Sequence, residues 1–210
     1  MTQSNDQLRT SVRRKYAAIA RSKPEGSSPS CCGDSQDSAV EYSMIGDEYD
    51  HVEGYVAEAD LGLGCGLPVE HAGLKPGSVV LDLGSGAGLD AFVARHEVGA
   101  AGHVIGVDMT AEMIAKAREN AARSGFDNVE FRLGEIEHLP VDASTVDVVI
   151  SNCVLNLVPD KQQAFAEIIR VLKPGGHFCI SDVVSSGTLP DWLKGCLLYT
   201  SDAADEYNPV

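Results

Sequence analysis

Val79-Val80-Leu81-Asp82-Leu83-Gly84-Ser85-Gly86-Ala87-Gly88-Leu89-Asp90 decides the fold. A short apolar run leads into an acid and then into three glycines on alternate positions, the pattern of a β-strand entering a tight turn and then a helix. The glycines let backbone approach a ligand where a Cβ would clash, and the helix that follows points free N–H groups at it. About twenty residues beyond Gly88, the run His103-Val104-Ile105-Gly106-Val107-Asp108 ends in a second acid. That acid falls at the tip of a neighbouring strand, where a carboxylate can accept hydrogen bonds from a ribose. Together the two signals predict a nucleoside-binding α/β domain.

Outward from this stretch the alternation is regular. The pattern predicts a strand over 78–83, a helix through about residue 97 and a strand over 103–108. A helix then runs from a Thr110 N-cap to a Gly125 stop. Further strands are expected over 128–132 and 146–151. Asp160 with Gln163 reads as a capping box opening a helix that carries Phe165, Ile168, Ile169 and Leu172 on one face. Lys173-Pro174-Gly175-Gly176 stops it, and a fifth strand covers 177–184. Strands alternating with helices at this spacing mean a parallel, doubly wound sheet. Upstream, Leu8, Val12, Tyr16 and Ile19 sit at helical spacing, residues 22–30 have linker composition, and 34–50 are acidic without a regular period.

The chain has 210 residues, which allows one domain with a sizeable core and a small N-terminal extension. Its formal net charge of -15 argues against a nucleic-acid partner, since phosphate binding needs a basic footprint. No apolar run approaches the ~20 residues of a membrane span, so neither membrane nor signal segment is expected and the location reads as cytoplasmic. In that compartment the six cysteines are expected as reduced thiols rather than a disulfide framework.

A dinucleotide fingerprint would need glycine at position 89, where the chain has Leu89. Asp82 ahead of the glycines also suits a positively charged ligand better than a pyrophosphate. The pattern resembles the class I S-adenosylmethionine methyltransferases. That resemblance implies their Rossmann-like, mainly parallel sheet and S-adenosylmethionine as methyl donor. Asp82, Gly84, Ser85, Gly86 and Gly88 then lie at the methionine part, Asp108 and Met109 at the ribose, Glu135 and Ile136 at the adenine, with Asn152 beside the cofactor.

Two cysteines reach the same rim. Cys65 stands among Gly62, Gly64 and Gly66, a run that packs poorly and displays its cysteine. Cys153 follows the fourth strand in Ser151-Asn152-Cys153-Val154-Leu155-Asn156-Leu157. Cys179 lies mid-strand and reads as core, His177 as surface. His138 and Asp182 lie near strand ends but have no identifiable partner as general bases. Methyl transfer to oxygen or nitrogen usually needs a proton removed, whereas a soft acceptor with a lone pair needs none, and thiolates are the ligands that hold soft centres.

The segments Asp60–Pro68, Leu81–Gly88 and Ser151–Leu157 are similar to those of arsenite S-adenosylmethionine methyltransferases. The resemblance implies arsenite, presented as a thiol conjugate, held by Cys65 and Cys153 with its lone pair toward the methyl group. Cys31 and Cys32 match an N-terminal pair implicated in relaying arsenic or forming a disulfide, and thioredoxin or glutathione is the implied reductant. Other small-molecule methyl acceptors, or thiol metalloid binding without catalysis, stay open as alternatives. The expected layout is an extension over 1–58 and a methyltransferase domain over 59–190 lacking its last strands. The segment 196–210, including Cys196, resembles translated adaptor read-through and is expected to be a non-native tail.

Overall fold

The computed structural model describes residues 5–21, 49 and 51–183. Cys31, Cys32, Cys196 and the segments 22–30 and 196–210 lie outside the described residues. The helices are α1 (Asn5–Arg21), α2 (Pro68–His71), α3 (Leu89–Val98), α4 (Ala111–Ser124) and α5 (Lys161–Val171). The strands are β1 (Val79–Leu83), β2 (His103–Asp108), β3 (Val129–Leu133), β4 (Val146–Asn152) and β5 (Leu172–Ser181). All five are parallel, in the order β3-β2-β1-β4-β5.

Period-two alternation sorts the central strands between two cores. Val80, Val104, Val148 and Ile150 face α3 and α4, where Phe92 packs edge-on to Phe131 with ring centroids 5.8 Å apart. Leu81, Leu83, Ile105, Val107 and Val149 face α5. Leu81 and Leu83 are fully buried, each contributing roughly 1.5–3 kcal/mol relative to exposure. Asp82 shares the Val80 face, so the pleat that buries the leucines also drives a carboxylate into the α3 side.

Local signals mostly hold, with three departures. The Asp160 side chain caps α5 through the Gln163 N–H at 2.9 Å, but Gln163 does not complete a capping box and donates its amide to the Glu137 carbonyl. Thr110 occupies the α4 N-cap without capping it, because its hydroxyl turns to Asp108. The fifth strand begins at Leu172 rather than 177. Leu172 pairs with Val146, the next register pair is Val148 with His177, and Lys173–Gly176 bulge between them. Pro174 is tolerated at such a bulge, and Gly175 takes φ 85°. β5 is the outermost strand on its side among the described residues, with Phe178 half-exposed against Phe165. His177, expected at the surface, is exposed and also bonds the Ala72 carbonyl at the end of α2.

α1 packs on α4 through buried Val12 and Ala17. Charge fixes its angle: Arg9 pairs with Glu137 at 2.8 Å, Arg13 with Glu135 at 3.0 Å, and Arg21 with Glu112.

Gly88 is a point of close approach in the turn after β1. It holds φ +100°, and a Cβ there would stand 2.8 Å from both the Phe131 and Phe92 rings. Gly88→Ala is expected to destabilise by about 2 kcal/mol, lowering the thermal midpoint by roughly 4–8 °C. An unchanged melt would show that this close approach carries no weight.

Candidate active site

The strand order reverses between β1 and β4, and the crevice beyond their carboxyl ends is where open α/β sheets bind ligands. A cleft of about 1060 Å³ opens there. Its wall includes Gly84, Ser85, Gly86, Asp90, Asp108, Met109, Glu135, Ile136, Asn152 and Cys153, together with Arg9, Val12 and Tyr16 from α1. The predicted cofactor set therefore converges on one cavity, with Asp82 and Gly88 directly behind the loop. α1, read from the sequence only as residues at helical spacing, supplies part of the wall. His138 and Asp182 are not on that wall; Asp182 instead accepts the Asn156 and Val183 N–H groups.

One side of the cleft is acidic. Asp82 is 2% exposed, and among the described residues its Oδ2 has no hydrogen-bond partner, nor has the buried Ser85 hydroxyl. Burial holds the Asp82 carboxyl well above the usual carboxylate range, and the charges of Asp90 and Asp108 act in the same direction. Burial also pushes Asp90 up to about 6, against hydrogen bonds from Tyr49 and Asn152. Asp108 is raised by burial as well, while its oxygens accept the Thr110 N–H at 2.7 Å and the Gly86 N–H at 3.0 Å. Among the groups that shift these three carboxyls there is no cationic side chain.

The other side carries sulfur through Cys153, while Cys65 is not on the wall itself. Cys65 and Cys153, 88 residues apart, form a disulfide with Cα atoms 5.7 Å apart. This corrects the expectation of reduced thiols for these two: compartment sets a prior, but here the fold brings the Cα atoms within bonding range. Cys153 is buried, at 5% exposure, and adopts φ 53°. A non-glycine residue there costs of order 1–3 kcal/mol, so the surroundings hold it in place. Its N–H bonds the Ser181 carbonyl at 2.8 Å. The Cys65 loop comes close because Gly66 has no side chain; a Cβ would overlap Ser181 Oγ. Cys179 is a free thiol, only partly buried against the α3-side core, and burial pushes its pKa up.

The sequence model of a family described as "Methyltransferase domain" matches residues 74–206. The chain belongs to the methyltransferase-domain family. An arsenite methyltransferase of Halobacterium salinarum is 48% identical over 220 residues, covering 95% of this chain and 55% of that protein. One of Aquipseudomonas alcaligenes is 38% identical over 194 residues, covering 89% and 54%. The chain thus spans about half the length of the curated relatives it matches. Among solved structures, an arsenic (III) S-adenosylmethionine methyltransferase from Chlamydomonas reinhardtii aligns with TM-score 0.57 and 45% identity over 62% of this chain and 46% of its own. A SAM-dependent methyltransferase from Aquifex aeolicus aligns with TM-score 0.53 and 29% identity, over 62% and 74%.

Two residues of the site were missed by sequence reasoning. Tyr49 is buried, and its hydroxyl lies 2.7 Å from Asp90 Oδ1 and 2.9 Å from the Gly66 carbonyl. Asp90 closed the glycine motif but had no role assigned. Tyr49 lies in an acidic stretch with no periodicity, and only tertiary contact reveals it.

The acidic side fits a ligand that carries positive charge: a partnerless carboxylate oxygen, three uncompensated acids and a glycine-lined approach. Without such a ligand these charges oppose folding. A carboxyl raised from 3.8 to about 6 binds more protons folded than unfolded, so its contribution falls as pH rises between about 4 and 6. The shift corresponds to at most roughly 3 kcal/mol. Asp90→Asn should therefore raise the melting temperature relative to the parent at pH 7.5 and lose that advantage by pH 4.5. A difference independent of pH would show that Asp90 is not strained when ionised.

Proposed function

We propose that this chain transfers a methyl group from S-adenosylmethionine to As(III) held as the substrate by the thiolates of Cys65 and Cys153. The observation that carries the reading is the meeting of these two sulfurs at the rim of a cleft whose opposite side is uncompensated negative charge. The names of the relatives and of the aligned arsenic (III) methyltransferase support it.

Bound in the cleft, S-adenosylmethionine supplies a methyl group activated by a sulfonium. In this reading Asp82 and the Gly84–Gly88 turn hold its cationic end, Asp108 and Met109 the ribose, and Glu135 and Ile136 the adenine. Cys65 and Cys153 displace oxygen or small-thiol ligands from arsenite, which arrives as a thiol conjugate. Both thiolates are soft donors, so the ion is held by sulfur and not by the neighbouring carboxylates. The acceptor electrons are the arsenic lone pair, and no proton has to leave. The cleft wall accordingly needs no base and, among the described residues, carries no histidine or lysine. Leu63, Val154, Leu157 and Val158 line the same cavity and keep water from the sulfur end.

Methylation leaves arsenic two electrons more oxidised. Closing Cys65 and Cys153 into the disulfide returns two electrons, and thioredoxin or glutathione then reopens it. Such chemistry requires a reducing compartment, which places the reaction in the cytoplasm. Cys31 and Cys32 are assigned to delivering arsenic to the pair.

The chain is incubated with S-adenosylmethionine, arsenite and a thiol reductant, and the arsenic species are separated. Methylated arsenic is expected, falling about a hundredfold or more in Cys65→Ser or Cys153→Ser, because the second thiolate on an ion is an intramolecular ligand. Cofactor binding by calorimetry should persist in both variants. Cofactor binding with no methylated arsenic from the parent chain would reassign it to another small-molecule acceptor.

A further inference from the structure

The two cysteines are joined by more than sulfur. The Asn152 side chain accepts the Cys65 N–H on Oδ1 at 3.0 Å, which fixes the orientation of its amide. Nδ2 then faces the Tyr49 hydroxyl at 2.7 Å, the Gly66 carbonyl at 2.8 Å and Asp90 Oδ2 at 3.0 Å. Asn152 immediately precedes Cys153, so one side chain connects the peptide of one cysteine to the N–H of the other. Tyr49 touches Gly66 and Asp90 from the opposite side. A Cβ on Gly64 would stand 3.0 Å from Asn152 Nδ2, so the loop lies flat against the same amide. Four separate pieces of chain are held here: residue 49, the Cys65 loop, the first turn of α3 and the end of β4.

Proton counting shows how closely the parts depend on one another. The phenol has one proton and the amide nitrogen two. Those three serve five contacts of 2.7–3.0 Å: Tyr49 to Gly66 and to Asp90, and Asn152 to Tyr49, Gly66 and Asp90. Removing either donor, the phenol or the amide, leaves acceptors of the network short, the arrangement in which hydrogen bonds couple most strongly.

We propose that Tyr49 and Asn152, with Asp90 as their anchor on α3, are positioning residues that hold the Cys65 loop against Cys153 when the disulfide is open, so that the two thiols form a preset chelating pair. The inference rests on the arsenite reading for its purpose, though the geometry is independent of it. Tyr49 contacts neither sulfur; it acts through the Gly66 carbonyl next to Cys65. Its phenol therefore sets how often the two thiols meet, not how well the cofactor binds.

The effective concentration of the pair is read by equilibrating the chain in glutathione redox buffers and quantifying the Cys65 and Cys153 peptides after alkylation. Tyr49→Phe and Asn152→Ser should each lower it about tenfold, the equivalent of one buried hydrogen bond. The double variant should lose less than the product of the two, since both act through one loop. In arsenite assays of Tyr49→Phe, kcat should fall with KM for S-adenosylmethionine unchanged. Effective concentrations within about twofold of the parent in variants that melt cooperatively would overturn the proposal. So would loss of the cooperative melt in both, which would make the network purely structural. A tenfold drop in a chain that forms no methylated arsenic would instead keep the positioning role and remove arsenic as its object.

Discussion

Pairing of β1 with β4, Val80–Leu83 against Val148–Ser151, is the constraint on which everything else depends. It is where the strand order reverses, so the loops leaving these two strands diverge and open a crevice instead of covering each other. One loop carries Asp82 and the glycines, the other Asn152 and Cys153. Their chemistry is unrelated in sequence and adjacent in space only through this register. A slip of one residue would turn Leu81 and Leu83 toward α3 and Asp82 into the α5 core. The buried leucines thus fix the position of the acid as firmly as they stabilise the sheet.

The acid cluster opposes that stabilisation. Asp82 is buried, Asp90 and Asp108 are half-buried, and each is pushed up from the ordinary carboxylate range. An interior built for stability alone would not keep an unpartnered carboxylate oxygen at 2% exposure. The strain is tolerated because burial of β1 and β4 exceeds it, and in the proposed reading a cationic ligand would relieve it on binding. Negative charge with no protein counterion is therefore the most informative electrostatic feature of the cleft. By contrast, the acids near α1, Glu135 and Glu137, have their partners in Arg9 and Arg13.

Much of this was legible in the chain because it is local. Strands β1 to β4 follow from apolar runs, the α4 stop from Gly125, and the turn after β1 from its glycines. The start of β5 was not, because Pro174-Gly175-Gly176 carries the same local signature whether it ends an element or bulges within an outer strand. The choice is made by pairing with Val146 and Val148, which sequence alone does not display. Gln163 was misread for a related reason: it is recruited by a distant carbonyl, that of Glu137. Cys65 and Cys153 could be brought to one rim by motif, but Tyr49 could not. Its function lies in three contacts made across 17 to 103 residues of chain.

The two ends of the cleft divide the chemistry by donor type. Carboxylates hold hard or diffuse positive charge; thiolates hold soft ions. Mixing them around one ion would blur both, and the fold keeps them apart with a neutral residue. Asn152 stands at the boundary, bonded to Asp90 on one side and to the Cys65 backbone on the other. An aspartate there would extend the acidic field to the sulfurs and raise the cost of forming two thiolates beside it. A leucine would leave the Cys65 N–H and the Gly66 carbonyl without the partner they now share. Asparagine satisfies both sets of neighbours and adds no charge, which is why one amide can serve as the hinge between a cation site and a sulfur site.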